Sequence, residues 1–319
     1  MTQIQRFVEA MRRPGVLGVH SLDHFSLTVP DLAQARLFYE SFGLDVRREG
    51  NGLGLYTAGH PHCWGVLSEG PKKKLHYLSF GAFEDDMPRF REQLAQLNIE
   101  CMLPPLGFDS NGLWFRDHEG TPVEIRVSEK SSPAEKSSFT AVSAPPGVYG
   151  TVARSRAPLT RPRRLAHLAL YTGDVPAAVA FYSKVLGLRL SDGSEGNIAF
   201  MHGVHGSDHH LVAFARSSGP GMHHCSWDVG SVQDIGLGAM QMADKGFLAG
   251  WGLGRHVLGA NYFHYVRDPW GSYSEYSADI DYIPVDMDWA AGEHPREDSF
   301  YLWGPVPPED FIRNYEAEA

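Results

Sequence analysis

The sequence predicts an α+β protein of two tandem domains. Each is built from paired βαβββ-like halves whose strands form a curved, partly closed mixed sheet. Three observations carry this reading. A length of 319 residues allows two domains at about 150 residues each. The chain repeats one pattern twice. Within each repeat, period-2 alternation gives way to helical spacing and returns, with Gly and Pro turns between.

The first strand of the repeat is Leu22-Asp23-His24-Phe25-Ser26-Leu27-Thr28-Val29 in one copy and Leu165-Ala166-His167-Leu168-Ala169-Leu170-Tyr171-Thr172 in the other. In both, an Asp follows the His by seven positions (Asp31, Asp174) and a Phe-Tyr pair begins fourteen positions after it (Phe38-Tyr39, Phe181-Tyr182). The Asp suits a helix N-cap, and Gly43 and Gly187 suit the helix end. Leu75-His76 and His223-His224 then open a second alternating run; laid in line, they pair His76 with His224. Second helices are expected from Met87 to Leu97 and from Val232 to Lys245. Each copy closes on a turn and strand from Asp117 to Glu124 and from Asp268 to Glu275, seven positions apart in both.

These boundaries give an N-terminal helix over 1–18, where Ile4, Phe7, Val8 and Met11 fall at helical spacing, then a first domain over 19–128. A Ser-, Pro-, Ala- and Arg-rich linker over 129–162 leads to a second domain over 163–280. A tail over 281–319, carrying Trp289, Phe300, Tyr301 and Trp303, is expected to fold back over one domain.

Composition removes several function classes. With 43% hydrophobic and 21% charged residues, the chain is ordinary globular material. A net charge of −10 excludes sequence-tolerant nucleic-acid binding, which works by neutralising phosphates. No apolar run approaches the roughly 18 residues of a membrane span. The three cysteines, Cys63, Cys101 and Cys225, are odd in number and far apart, as expected of a reducing cytoplasm. Histidine is the excess, 16 of 319 residues.

The most specific segment runs from Gly252-Leu253-Gly254-Arg255-His256 through Asn261-Tyr262-Phe263-His264-Tyr265 and Asp268-Pro269-Trp270-Gly271 to Glu275. A dinucleotide loop does not explain its glycines, because Val257 stands where a third Gly is required. The segment resembles the signature of type I extradiol ring-cleaving dioxygenases, in the vicinal-oxygen-chelate (glyoxalase/bleomycin resistance/dioxygenase) superfamily. Tyr265 and Glu275 follow His256 at the family's intervals of nine and nineteen. The resemblance covers residues from about 19 to 280 and implies two tandem vicinal-oxygen-chelate domains.

A mononuclear iron oxygenase needs two neutral imidazoles and one carboxylate on one face of the metal, leaving adjacent positions open. His167, His224 and Glu275, from three strands of the second copy, supply that set. His223 is expected to face the other way by alternation. The resemblance implies Fe(II), with Mn(II) the lesser alternative, and O2 as co-substrate. It also implies His210 as acid/base residue and His256 and Tyr265 as hydrogen-bonding partners of the catechol oxygens. His210 precedes His224 by fourteen positions, as His62 precedes His76. In the first copy, His24, His76 and Glu124 repeat the triad, but Pro105 and Trp114 stand where His256 and Tyr265 should be. That copy is read as a catalytically degenerate relic.

The implied activity is extradiol cleavage of a substituted catechol in bacterial aromatic degradation, by a cytoplasmic homo-oligomer, a tetramer by family resemblance. A glyoxalase-like metal-dependent lyase or isomerase shares the fold, as does a non-catalytic binding protein of the bleomycin-resistance type. Neither needs His210, His256 and Tyr265 together. Relatives that take carboxylated catechols can carry Arg five positions ahead of the signature His. Trp251 stands there, and with Phe263, Trp270 and aromatics of the tail it favours an uncharged substrate.

Overall fold

The computed structural model describes residues 12–317 apart from 109 and 142. In the N-terminal half, β1 (Ser21–Val29), α1 (Leu32–Ser41), β2 (Asp45–Glu49), β3 (Gly52–Tyr56) and β4 (Cys63–Glu69) form one module. A second follows as β5 (Lys74–Ala82), α2 (Met87–Gln96), β6 (Leu113–Arg116) and β7 (Pro122–Val127). The sheet order is β2-β3-β4-β1-β5-β7-β6.

The C-terminal half repeats this. It contains β8 (Arg164–Thr172), α3 (Val175–Leu186), β9 (Arg189–Ser194), β10 (Ile198–His202), a short β11 (Ser207–Asp208) and β12 (Val212–Arg216). Then come β13 (Gly221–Asp228), α4 (Val232–Asp244), β14 (Gly250–His256), β15 (Tyr262–Arg267) and β16 (Tyr273–Ala278). Its core order is β9-β10-β12-β8-β13-β16-β15-β14, which matches the seven strands of the first sheet from β9 to β15 and adds β14. The counterpart of β14 in the first half has shrunk to one bridge, Met102 opposite Trp114.

Local signals act as expected. The Asp31 side chain accepts from the Ala33 and Gln34 amides, and Asp174 accepts from that of Ala177. Gly187 ends α3 at φ 71°, a left-handed conformation that costs glycine little. The Phe-Tyr repeat serves interdomain packing: the Tyr182 hydroxyl donates to Asp117 of the first domain at 3.0 Å. In return, Phe42 stacks on Tyr276 at 3.8 Å and accepts its hydroxyl on the backbone carbonyl. One buried apolar cluster therefore runs through both halves.

Strand register corrects one expectation. Ser26 lies opposite Tyr77, and its repeat partner Ala169 lies opposite His224. Tyr77 is thus the counterpart of His224, while His76 corresponds to His223; each sits at a bulge that alternation does not anticipate. The same count along β4 and β12, where Phe25 faces Gly65 and Leu168 faces Val212, places His62 with His209 and not with His210.

The expected N-terminal helix falls largely on residues 1–11, outside the described ones, and residues 12–18 form turn and extended chain. Between the halves, the only regular element among the described residues is a 3-10 turn, Arg154–Arg156. Arg163 and Arg164 pair with Asp228 and Asp208, each at 2.7 Å. No described helix is long and apolar enough to cross a membrane. The tail does fold back. Strand β17 (Tyr282–Ile283) pairs with β11, β18 (Gly292–Glu293) with β9, and β19 (Tyr301–Trp303) with β14. It thus joins both edges of the curved C-terminal sheet and spans its open side.

Candidate metal centre

Three neighbouring strands place the triad. His167 is on β8, His224 on β13 and Glu275 on β16, and their ligand atoms all lie within 4.8 Å of one another. His167 Nε2 is 3.3 Å from His224 Nε2 and 3.3 Å from Glu275 Oε2, and His224 Nε2 is 3.6 Å from that oxygen. Donors sharing one ion at about 2.1 Å stand roughly 3.0–3.4 Å apart, so the spacing suits a single cation. Glu275 Oε2 is buried without a hydrogen bond, which an ion would satisfy. Among the described residues, no other group of His, Cys, Asp or Glu converges in this way, including His60, His62 and Cys63.

Electrostatics favour the ligand forms. Burial pushes His224 well below its ordinary value, leaving a neutral imidazole. Burial raises Glu275, but His167 and His256 beside it outweigh this and bring it well below the usual carboxylate range. Asn261 donates to Glu275 Oε1 at 3.2 Å and fixes the carboxylate plane. His223 Nε2 donates to the Phe311 carbonyl at 2.9 Å, which leaves His223 Nδ1 as acceptor for His224 Nδ1, 2.6 Å away. The bare His224 Nε2 therefore points to the metal position. His223 is not a packing residue facing away, as alternation predicts, but the residue that sets its neighbour's tautomer.

The other expected site residues meet the triad in one cavity of about 370 Å³. The His210 ring lies 4.0 Å from that of His167. His256 Nδ1 donates to the Phe300 carbonyl at 2.8 Å, so its Nε2 accepts the Tyr265 hydroxyl at 2.9 Å. Burial, with the Glu275 charge adding to it, raises Tyr265 well above its ordinary value, so the phenol keeps its proton.

Sequence reasoning misplaced the aromatic wall. Trp251 is buried behind Tyr265, stacked at 5.6 Å, and gives its indole N–H to the Pro305 carbonyl. The cavity is faced by Phe200 and by the tail's Phe300 and Phe311, the tail being expected there, whereas Trp251, Phe263 and Trp270 do not line it. It also missed His223, His209 and Asn261. The adjacent pairs His209-His210 and His223-His224, fourteen apart, were the available signal.

Comparison with known proteins agrees with this geometry. Residues 164–276 match the Glyoxalase/Bleomycin resistance protein/Dioxygenase superfamily. The chain is 50% identical over 299 residues to metapyrocatechase 2 of Cupriavidus necator, covering 94% of this chain and 93% of that protein. It is 23% identical over 303 residues to the manganese-dependent 2,3-dihydroxybiphenyl 1,2-dioxygenase of Geobacillus genomosp. 3, covering 88% and 93%. The fold superposes on an extradiol ring-cleaving dioxygenase from B. fuscum with a TM-score of 0.75 at 22% identity, over 95% of this chain and 85% of the other.

Proposed function

Because the chain belongs to the type I extradiol ring-cleaving dioxygenases of the glyoxalase/bleomycin resistance/dioxygenase superfamily, we propose that its C-terminal copy carries the whole reaction centre. The activity is extradiol (meta) cleavage of a catechol by O2. His167, His224 and Glu275 would hold the metal, and His210, His256 and Tyr265 would act on the substrate. The convergence of five of them around one cavity, with Glu275 buried against His167 and His224, is the observation that supports this most.

Extradiol dioxygenases are metal-dependent, and two imidazoles with one carboxylate and open positions are the donor set of non-haem Fe(II) oxygenases. Fe(II) is therefore the proposed ion, with Mn(II), which the same donors can hold, the lesser alternative. When bound, the metal supplies Lewis acidity toward the catechol oxygens and redox access to O2. The protein's own groups do the rest. His210, buried and held neutral, accepts a hydroxyl proton and later returns it. The Tyr265 hydroxyl, backed by His256, orients the ring through an oxygen. Phe300 and Phe311 of the tail exclude water from the cavity.

Trp251 stands where carboxylate-binding relatives can carry Arg, and the wall is mainly apolar, with Arg216 and Arg296 beside Glu195 among its lining residues; this supports an uncharged substituted catechol. The three free thiols fit a cytoplasmic enzyme. Family resemblance supports a homotetramer, which sedimentation would test.

The experiment is reconstitution of metal-free protein with Fe(II) or Mn(II), followed by catechol in air. The Fe(II) form should give the yellow ring-opened product. His210→Phe should keep its metal and lose about 10²–10⁴ in turnover. Wild-type turnover in that variant would remove His210 from the mechanism.

A further inference from the structure

We propose that Asp192 and His209 are positioning residues for the acid/base step: they fix the His210 tautomer and hold the positive charge that His210 gains. This rests on the reading of His210 given above.

The geometry runs from the cavity towards the surface. His210 Nδ1 lies 3.1 Å from His209 Nδ1, and His209 Nε2 lies 2.8 Å from Asp192 Oδ2. The other carboxylate oxygen, Oδ1, accepts from the Gly292 amide at 2.9 Å and meets His294 Nε2 at 2.8 Å. His209 is fully buried, whereas His294 is about one-third exposed (34%). Asp192 therefore sits between a buried imidazole and one that reaches solvent.

A carboxylate can only accept, so His209 must present Nε2–H to Asp192. Neutral His209 then has a bare Nδ1, which can only accept from His210 Nδ1–H. Neutral His210 is left with a bare Nε2, which has no hydrogen-bond partner among the described residues and belongs to a ring lining the cavity. That is the nitrogen a substrate hydroxyl must reach. When the hydroxyl O–H breaks and Nε2–H forms, the imidazolium keeps its Nδ1–H on His209, with the Asp192 charge behind it. When His210 gives that proton back, the array returns to its starting form.

The His223-His224 pair provides an internal contrast. It uses the same Nδ1–Nδ1 contact, but its outer partner is a neutral carbonyl, Phe311. A metal ligand needs a fixed tautomer and never gains a proton. An acid/base residue needs both, and only its pair ends on a carboxylate. Burial raises Asp192, but hydrogen bonds from His209, His294 and Gly292 bring it below its ordinary value, consistent with a standing charge.

The test is a series in metal-loaded enzyme, with kcat, KM and metal content recorded for each variant. His209→Leu removes both hydrogen bonds and should lower kcat about 10–100-fold, with KM and metal unchanged. His209→Gln restores them, since its carbonyl accepts from His210 and its amide donates to Asp192. It should recover to within about threefold of wild type. Wild-type kcat in His209→Leu, an equal loss in His209→Gln, or a loss that follows metal or KM overturns the inference. If His209→Leu does not fold, Asp192→Asn, which removes the charge and one of the two acceptor oxygens, should lower kcat about tenfold with metal retained; unchanged kcat overturns it. His210→Phe separates the readings. If it too has wild-type kcat, the acid/base assignment falls; if it is impaired while His209→Leu is not, only the inference falls.

Discussion

In the N-terminal copy the place of one metal ligand is taken by a tyrosine. Tyr77 stands where the C-terminal copy has His224, and its hydroxyl lies 2.9 Å from His24 Nε2. His24 Nδ1 is held by Asp23 at 2.7 Å, and Glu124 by Ser79 at 2.6 Å with Ser110 on its other oxygen. In the C-terminal copy, Ala166 stands in the position of Asp23, and His167 Nδ1 and Glu275 Oε2 are both buried without hydrogen bonds. The two copies keep one sheet because their inward apolar positions share a core. They differ because polar positions on the concave side can be satisfied either internally or by an ion. In the first copy His24 Nε2 and both Glu124 oxygens have protein partners, although Asp23 Oδ1 and His76 Nδ1 have no hydrogen bond. In the second, the carboxylate oxygen Glu275 Oε2, which faces both imidazoles, is left for a cation. Losing strand β14 down to the Met102 bridge also removes the platform on which His256 stands.

The largest expected effect breaks the comparison outright if it fails. Glu275→Ala and His224→Ala should abolish both turnover and bound metal. Tyr77→Phe and Glu124→Gln, at the matching positions, should leave turnover per folded chain unchanged. Metal analysis beside steady-state kinetics decides it, and a silent Glu275→Ala would mean that the wrong copy has been chosen.

The sequence made the duplication, helix caps, triad and signature pair legible because each rests on local spacing, which strands and caps preserve. It misjudged the middle register by one residue. Alternation assumes an unbroken ladder, and bulges at His76 and His223 break it in both copies alike, so the copies could not correct each other. His224 still converges with His167 and Glu275, but on geometry and not on pairing with His76. The tail's part in the cavity was partly legible: its aromatics, Phe300 among them, were expected over a domain, but Phe311 arrives through a loop whose partners are distant in sequence.

Acid should act on both copies. Burial lowers His20, at the head of the first domain, to about 4, and burial likewise lowers His202 on β10 to about 4. Both are neutral when folded, while the unfolded chain protonates near pH 6.5. Their stability contribution is therefore complete above about pH 6.5 and is lost as pH falls toward 4, at up to about 3 kcal/mol per group. Urea midpoints across that window should fall with pH. A flat profile would mean that these histidines are not held neutral.

Metal removal should act on one copy only. A cation at 100 times its Kd stabilises the form that binds it by about 2.7 kcal/mol, on the order of a hundredfold in local opening. Chelation should accelerate amide exchange in β8, β13 and β16 and leave β1, β5 and β7 close to their holoenzyme rates. Equal acceleration in both sheets would show that the shared core transmits the loss, making the copies one cooperative unit.

The smallest effect tests whether Tyr77 stands in for an ion. Tyr77→Phe removes one hydroxyl and leaves the ring in place against Trp114 and Phe108. His24 Nε2 then loses its partner in a buried setting, at a cost of about 1 kcal/mol or somewhat more. The urea midpoint should fall with no change in m, since the surface exposed on unfolding stays the same. Added divalent metal should not restore it, because Glu124 remains tied to Ser79 and Ser110 and only His24 is freed. Tyr77→His completes the argument. It supplies a second imidazole but leaves Glu124 tied to Ser79 and Ser110, so neither metal per chain nor turnover should rise above the wild-type value. A second full turnover site in that variant would contradict the account, since Trp114 offers no hydroxyl where Tyr265 has one.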